Sequence, residues 1–226
     1  MPSIKEFSNQ SAEPPVRGFM HLPSPGNGAG LVLTHGAGGN CESKLLVSVA
    51  HAFTEAGYMV LRCNLPFRQQ RPFGPPSPAN AERDREGLKR AVEVMRQEVS
   101  GSLYLGGHSY GGRQASMLVA DEPHRVSGLL LLSYPLHPPR RPEQLRTSHW
   151  PRLKTSALFV HGARDPFGSL SEFESAMTQL PGQHKLIEIE AAGHELLGKK
   201  DGEKFGTTVV SAFQQFFGTS QLAATK

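Results

Sequence analysis

A chain of 226 residues is long enough for one well-filled core and short for two ordinary domains plus a linker, so a single domain over residues 1–226 is expected. With 38% hydrophobic and 19% charged residues the composition argues against disorder, and no apolar run approaches the roughly 20 residues that cross a bilayer. The formal charge of +4 comes without any run of five or more Lys/Arg, which disfavours nucleic acid as a partner.

The first ten residues mix Lys5 and Glu6 with polar side chains and lack the apolar stretch of a secretory signal. Cys41 and Cys63 neither build a disulfide framework nor show zinc-site spacing. A reducing, cytoplasmic setting with no membrane attachment is the expectation.

In chain order, strand-type runs fall at 16–22, 30–34, 58–63, 102–107, 126–133, 157–161 and 185–190, the last less apolar and so a candidate edge. Helical spacing links Leu45, Leu46, Val49, Ala52 and Phe53, then Leu88, Ala91, Val92, Met95 and Val99, then Ala115, Leu118 and Val119. Phe173, Met177 and Leu180 predict a shorter helix; Phe205, Val209, Ala212, Phe213 and Phe216 predict a closing one with Gly218 as its stop and residues 218–226 as a flexible polar tail. This alternation predicts an α/β fold: a mostly parallel central sheet with helices on both faces.

Two proline-rich segments, 64–80 and 134–156, interrupt the pattern and cannot be helical throughout. Both follow strands, so both should emerge at the carboxyl ends of a parallel sheet, where ligands bind in this architecture.

The strongest local motif is Gly107-His108-Ser109-Tyr110-Gly111, a G-x-S-x-G placed after a strand and before a helix. Small residues at both ends let the chain reverse tightly enough to project the Ser109 hydroxyl. A serine hydroxyl needs a base and the base needs an orienting acid. Asp165 follows the strand 157–161, and His194 follows the strand 185–190 with Gly193 to turn its loop. Two backbone N–H groups must meet the developing oxyanion: that of Tyr110, after the serine, and that of Ala37 in the loop His35-Gly36-Ala37-Gly38-Gly39. That loop lacks the Lys-Ser/Thr of a phosphate loop and the spacing of a dinucleotide fingerprint. His35 and His108 are read as structural, and His21, His51, His124, His149 and His184 share no metal-ligand spacing.

The segments HGAGG (35–39), GHSYGG (107–112), HGARD (161–165) and GHE (193–195) resemble the α/β-hydrolase superfamily, including its Ser, Asp, His chain order. More narrowly, Ser133-Tyr134-Pro135-Leu136-His137 after a leucine-rich strand resembles a small branch that includes testis-expressed protein 30 and the hydrolase-like domain of the third subunit of the NSL chromatin complex. A looser resemblance is to dienelactone hydrolases, which carry cysteine where this chain has Ser109. The superfamily implies a cap after the strand 126–133, but the 23 residues from 134 to 156 leave no room for a substantial one.

An open site walled by the two proline-rich loops follows. Those loops hold Arg68, Arg71, Arg140, Arg141, Arg146 and Arg152 against the single acid Glu143, which raises the possibility of an anionic substrate. Phe67, Phe73, Tyr134 and Trp150 either line an acyl pocket or pin the loops; Arg68, Arg71, Tyr134, Arg140 and Trp150 are the candidate substrate contacts. The expected activity is cofactor-free hydrolysis of a carboxylic ester or thioester through an acyl-Ser109 intermediate. The alternatives are an acyltransferase using the same serine and a non-catalytic interaction module on the same fold.

Overall fold

Alternation along fully buried strands separates the two faces of the sheet. In the strand Gly128–Leu132 every residue is buried; Leu129 and Leu131 pack with Leu105 and Phe159, whereas Leu130 and Leu132 pack with Leu33 and Val160. The two-residue period forces this split, and burial on both faces explains why such strands read as continuous apolar runs. The computed structural model describes residues 1–198 and 202–223.

Among the described residues there are eight strands: β1 (Ser3–Asn9), β2 (Val16–Leu22), β3 (Gly30–Thr34), β4 (Met59–Cys63), β5 (Leu103–His108), β6 (Gly128–Leu132), β7 (Ala157–Gly162) and β8 (His184–Ile189), in the sheet order β1-β2-β4-β3-β5-β6-β7-β8. β1 and β2 pair antiparallel, as do β2 and β4; every pairing from β4 to β8 is parallel. The helices are α1 (Lys44–Glu55), α2 (Pro66–Gln70), α3 (Ala81–Glu98), α4 (Tyr110–Asp121), α5 (Leu170–Met177) and α6 (Gly202–Ala223). Leu88 and Met95 of α3, Ala115 and Val119 of α4 and Phe173 of α5 pack on one face of the sheet, and Leu46 and Phe53 of α1 with Val209 and Phe213 of α6 pack on the other. The mostly parallel, doubly covered sheet is the one expected.

Strand positions match the sequence reading to within two residues, ordinary scatter for element ends. Three features differ. β1 was not anticipated: its residues are exposed or half-buried, so no apolar alternation marks it, and it is held by the ladder to β2 at the sheet edge. α2 forms inside the first proline-rich segment because Pro66 occupies its first turn, where a missing N–H costs nothing. α6 passes through Gly218 to Ala223, so Gly218 is no stop; a mid-helix glycine costs about 1 kcal/mol and terminates a helix only in the left-handed conformation, which Gly218 does not adopt. The last part of the expected tail, residues 224–226, lies outside the described residues.

Residues 133–156, between β6 and β7, contain only the 3-10 turn Trp150–Arg152 and build no cap. Among the described residues no helix is long and apolar enough to cross a membrane.

Candidate active site

β5 enters α4 through a single residue, Ser109, whose φ of 50° and ψ of −115° are a conformation that side-chain-bearing residues rarely adopt. Such a backbone costs on the order of 1–3 kcal/mol and persists only where the surroundings impose it. Here the Ser109 amide donates to Leu132 O at 2.8 Å, extending the β5–β6 ladder by one bond. Tight packing does the rest: a Cβ at Gly107 would lie 2.7 Å from Gly111 C, and one at Gly111 would lie 2.5 Å from His35 O.

The strand ends bring three side chains into line. His194 Nε2 lies 2.8 Å from Ser109 Oγ, and His194 Nδ1 lies 2.8 Å from Asp165 Oδ2. Asp165 has a fully buried side chain and its other oxygen accepts the Phe167 N–H at 2.9 Å, so the carboxylate cannot swing. A carboxylate only accepts; the bond therefore places a hydrogen on His194 Nδ1 and a lone pair on Nε2, facing the hydroxyl. The Phe167 ring covers the imidazole with centroids 4.2 Å apart, and His108 Nε2–H donates to His194 O at 2.9 Å, fixing the loop from the side of the strand-to-helix elbow at Ser109.

His161 stands behind the carboxylate. Its Nε2–H donates to Gly168 O at 2.7 Å, and its Nδ1 lies buried and unpartnered 3.7 Å from Asp165 Oδ2. Burial holds this imidazole below its ordinary pKa, against the opposing pull of the Gly168 bond and the Asp165 charge. His108 is likewise depressed, first by burial.

The glycine loop after β3 is clamped on both peptide planes around Ala37. His35 Nδ1–H donates to Gly36 O at 2.8 Å while its Nε2 accepts the Leu65 N–H at 3.1 Å; the Gly39 amide also donates to Gly36 O. Arg68 donates from Nη2 to Ala37 O at 2.9 Å and from Nε to Gly39 O at 2.7 Å. Burial keeps the His35 pKa down at about 4, so the ring is neutral in the tautomer these bonds need. Tyr110, whose amide opens α4, donates its hydroxyl to Asp84 Oδ2 at 2.8 Å, and Asp84 Oδ1 accepts the Phe67 N–H at 3.0 Å. Asp84 is fully buried, and burial raises its pKa against those two hydrogen bonds.

Ser109, His194, Ala37 and Tyr110 border one cavity of about 840 Å³. The first proline-rich segment supplies Pro75, Pro76 and Pro78 as a wall and the second supplies Pro135 and Arg146, while α4 contributes Arg113, Gln114 and Met117. The expected substrate contacts need correction. Arg68 is buried, and its guanidinium is taken up by four backbone carbonyls. Tyr134 and Trp150 are 1% and 0% exposed, packed with Phe159 in the core, and the Tyr134 hydroxyl donates to Arg146 O. Phe67 packs on His35 and Tyr110, so it too pins a loop, and Phe73 is 83% exposed. Arg71, whose guanidinium reaches Pro75 O, and the exposed Arg140, Arg141 and Arg152 are absent from the cavity lining.

Arg113, Gln114, His161 and Phe167 escaped the sequence reading. Arg113 was findable: it stands four residues beyond Ser109 on a predicted helix, hence on the same face. Among the described residues no group of three or more His, Cys, Asp or Glu is placed to hold a metal ion.

A doubly wound sheet with a serine at a strained strand-to-helix turn defines an α/β-hydrolase fold, and comparison with known proteins agrees. Residues 27–218 match the family described as an alpha/beta hydrolase domain, and the chain belongs to that family. It is 30% identical over 187 residues to ABHD14B of Rattus norvegicus, a candidate protein-lysine deacylase, covering 79% of this chain and 84% of that one. Among solved structures it resembles Est1E from Butyrivibrio proteoclasticus (TM-score 0.74, 14% identity, 95% of this chain and 99% of that one). It also resembles a dienelactone hydrolase from Anabaena variabilis (TM-score 0.72, 21% identity, 95% and 97%). At these identities the two structures speak for the fold.

Proposed function

We propose that the protein is a serine hydrolase that cleaves a carboxylic ester or thioester of a small acyl substrate through an acyl-Ser109 intermediate. The observation that carries this reading is the line of hydrogen bonds from Ser109 Oγ through His194 to Asp165, at 2.8 Å in each step. In the first half-reaction Ser109 Oγ attacks the acyl carbonyl carbon while its proton passes to His194 Nε2. The carbonyl oxygen takes up the electron pair and is held by the Ala37 and Tyr110 N–H groups, each such donor being worth on the order of a hundredfold in rate. Collapse expels the leaving group, which takes the proton from Nε2. Water repeats the sequence: it gives a proton to Nε2, attacks the acyl carbon and releases the acid, and the proton returns to Ser109 Oγ. Asp165 holds the imidazole and stabilises the imidazolium without accepting its proton.

The absence of a cap leaves room for a protruding acyl group, which suits both esters and the acyl-lysine named for ABHD14B. If another nucleophile replaces water in the second half, the same residues perform acyl transfer. Cys41 and Cys63, buried thiols raised by burial to about 11 and about 12, are unreactive and fit a reducing, cytoplasmic setting. The test is active-site labelling with a fluorophosphonate. Wild type should label and Ser109→Ala should not, with hydrolysis of short aryl esters falling by several powers of ten; a wild type that neither labels nor turns over esters leaves the fold as an interaction module.

A further inference from the structure

Among the described residues two guanidinium groups border the cavity without a carboxylate to neutralise them. Arg83, Arg90, Arg125 and Arg152 each sit in an ion pair, whereas among the described residues neither Arg113 nor Arg146 does. Arg113 stands one turn beyond Ser109 on α4, its amide donating to Ser109 O at 3.0 Å, and its Nε is buried with no partner. Arg146 is fixed through its backbone: its amide donates to Leu136 O at 2.8 Å and its carbonyl accepts the Tyr134 hydroxyl at 2.6 Å. Burial first, and the charge of Arg113 second, hold Arg146 below its ordinary pKa.

A third donor borders the same cavity. Gln114 is fully buried; its Oε1 is engaged by Arg85 at 3.1 Å, and its Nε2 is buried with no partner. Solvation accounts for an exposed arginine but leaves a buried Nε and a buried amide N–H unsatisfied, each at a cost comparable to a lost hydrogen bond. Among the described residues the one acid of the cavity lining, Glu195, is exposed and pairs with neither arginine. A ligand with several acceptor oxygens and a negative charge would satisfy all three groups together.

We propose that Arg113, Arg146 and Gln114 form a subsite for a terminal carboxylate on the acyl group, so that the preferred substrates are ω-carboxyacyl esters, thioesters or amides. The position of Arg113 favours the acyl side. One helical turn rises about 5.4 Å, so a guanidinium there meets a carboxylate a few bonds beyond the carbon attached to Ser109, and it keeps that contact after the leaving group departs. This rests on acyl transfer at Ser109 as proposed above.

The test compares aryl monoglutarate with aryl valerate, matched in length, and adds an aryl acetate bearing a carboxylate on its leaving group. Wild type should favour the monoglutarate in kcat/KM by roughly ten- to a hundredfold at low salt, the preference shrinking as salt rises. In Arg113→Met/Arg146→Met the ratio should collapse to near one; being a ratio, it is insensitive to the folded fraction. Calorimetric binding of glutarate to Ser109→Ala, lost when both arginines are replaced, reads the subsite without catalysis. A wild-type ratio near one, a ratio that survives the arginine substitutions, or a preference for the carboxylated leaving group overturns the inference while leaving Ser109 chemistry intact. Glutarate binding that needs the arginines in a protein that never labels at Ser109 sinks the hydrolase reading and upholds the anion site.

Discussion

Replacing Asp165 with asparagine tests the hydrogen-bond line at its least accessible point. Asp165 Oδ1 accepts the Phe167 N–H at 2.9 Å, so an asparagine keeps its carbonyl oxygen there and turns its amide nitrogen toward His194. The amide has a second hydrogen, and the buried Nδ1 of His161, which makes no hydrogen bond and stands 3.7 Å from Oδ2, accepts it once the two close to hydrogen-bonding distance. Both contacts lock the same orientation. The amide then donates to His194 Nδ1, the imidazole hydrogen moves to Nε2, and no lone pair faces Ser109 Oγ. On this geometry kcat should fall by about 10³- to 10⁴-fold, with a Tm within about 2–4 °C of wild type, since the lost charged contact is offset by the one gained at His161. Steady-state hydrolysis of an aryl ester between pH 6 and 9 gives the rate, and nitrogen NMR of labelled histidine reads the tautomer of His194. A kcat within tenfold of wild type, or a large loss with the hydrogen still on Nδ1, would refute the reasoning.

His21, His35 and His149 are each held near pKa 4 against an ordinary 6.5, chiefly by burial. The unfolded chain binds protons there that the folded one refuses, so stability is full above pH 6.5 and falls as pH drops toward 4. His35 alone, between 6.5 and about 4, contributes about 3 kcal/mol of that loss, and a urea midpoint unchanged between pH 7 and 4.5 would contradict it. Tyr110→Phe leaves Asp84 Oδ2 without its hydroxyl partner and should cost about 1–3 kcal/mol. Because protonation relieves a buried carboxylate, the cost should be larger at pH 8 than at pH 5 in paired denaturation curves. Gly111→Ala puts a Cβ 2.5 Å from the His35 carbonyl oxygen, and backbone on both sides cannot yield, so Tm should drop with loss of probe labelling at Ser109. Trp150→Ala empties a core position and should cost about 3–5 kcal/mol with KM for small esters little changed; a large KM shift at intact stability would return Trp150 to the substrate pocket.

The parts legible in the sequence were those with a period or a fixed local grammar. β3, β5, β6 and β7 are buried on both faces and announce themselves as apolar runs, and the glycines flanking Ser109 mark a turn that larger residues cannot make. β1 stayed hidden because an exposed edge strand has no buried face to impose alternation; only its seven-residue register with β2 creates it. The loop arginines misled for a different reason. Composition counts charges but says nothing about direction, and Arg68 turns inward to carbonyls of the glycine loop, whereas Arg113, outside the loops, borders the cavity.

Those inward contacts explain how a strained serine and three separate loops keep one geometry. Gly111 lies beneath the His35 carbonyl, and a Cβ at Gly36 would stand 2.9 Å from His108 Nδ1, so the glycine loop and the elbow interlock with no slack. His108 in turn holds the His194 carbonyl, and His35 holds the Gly36 carbonyl that sets the direction of the Ala37 N–H. Two histidines that perform no proton transfer in the proposed reaction thus connect the glycine loop, Ser109 and the His194 loop through contiguous contacts. Removing the His108 ring should therefore cost more in kcat than in KM, because the base loop loses its tether while the cavity walls built from the proline-rich segments and α4 stay in place.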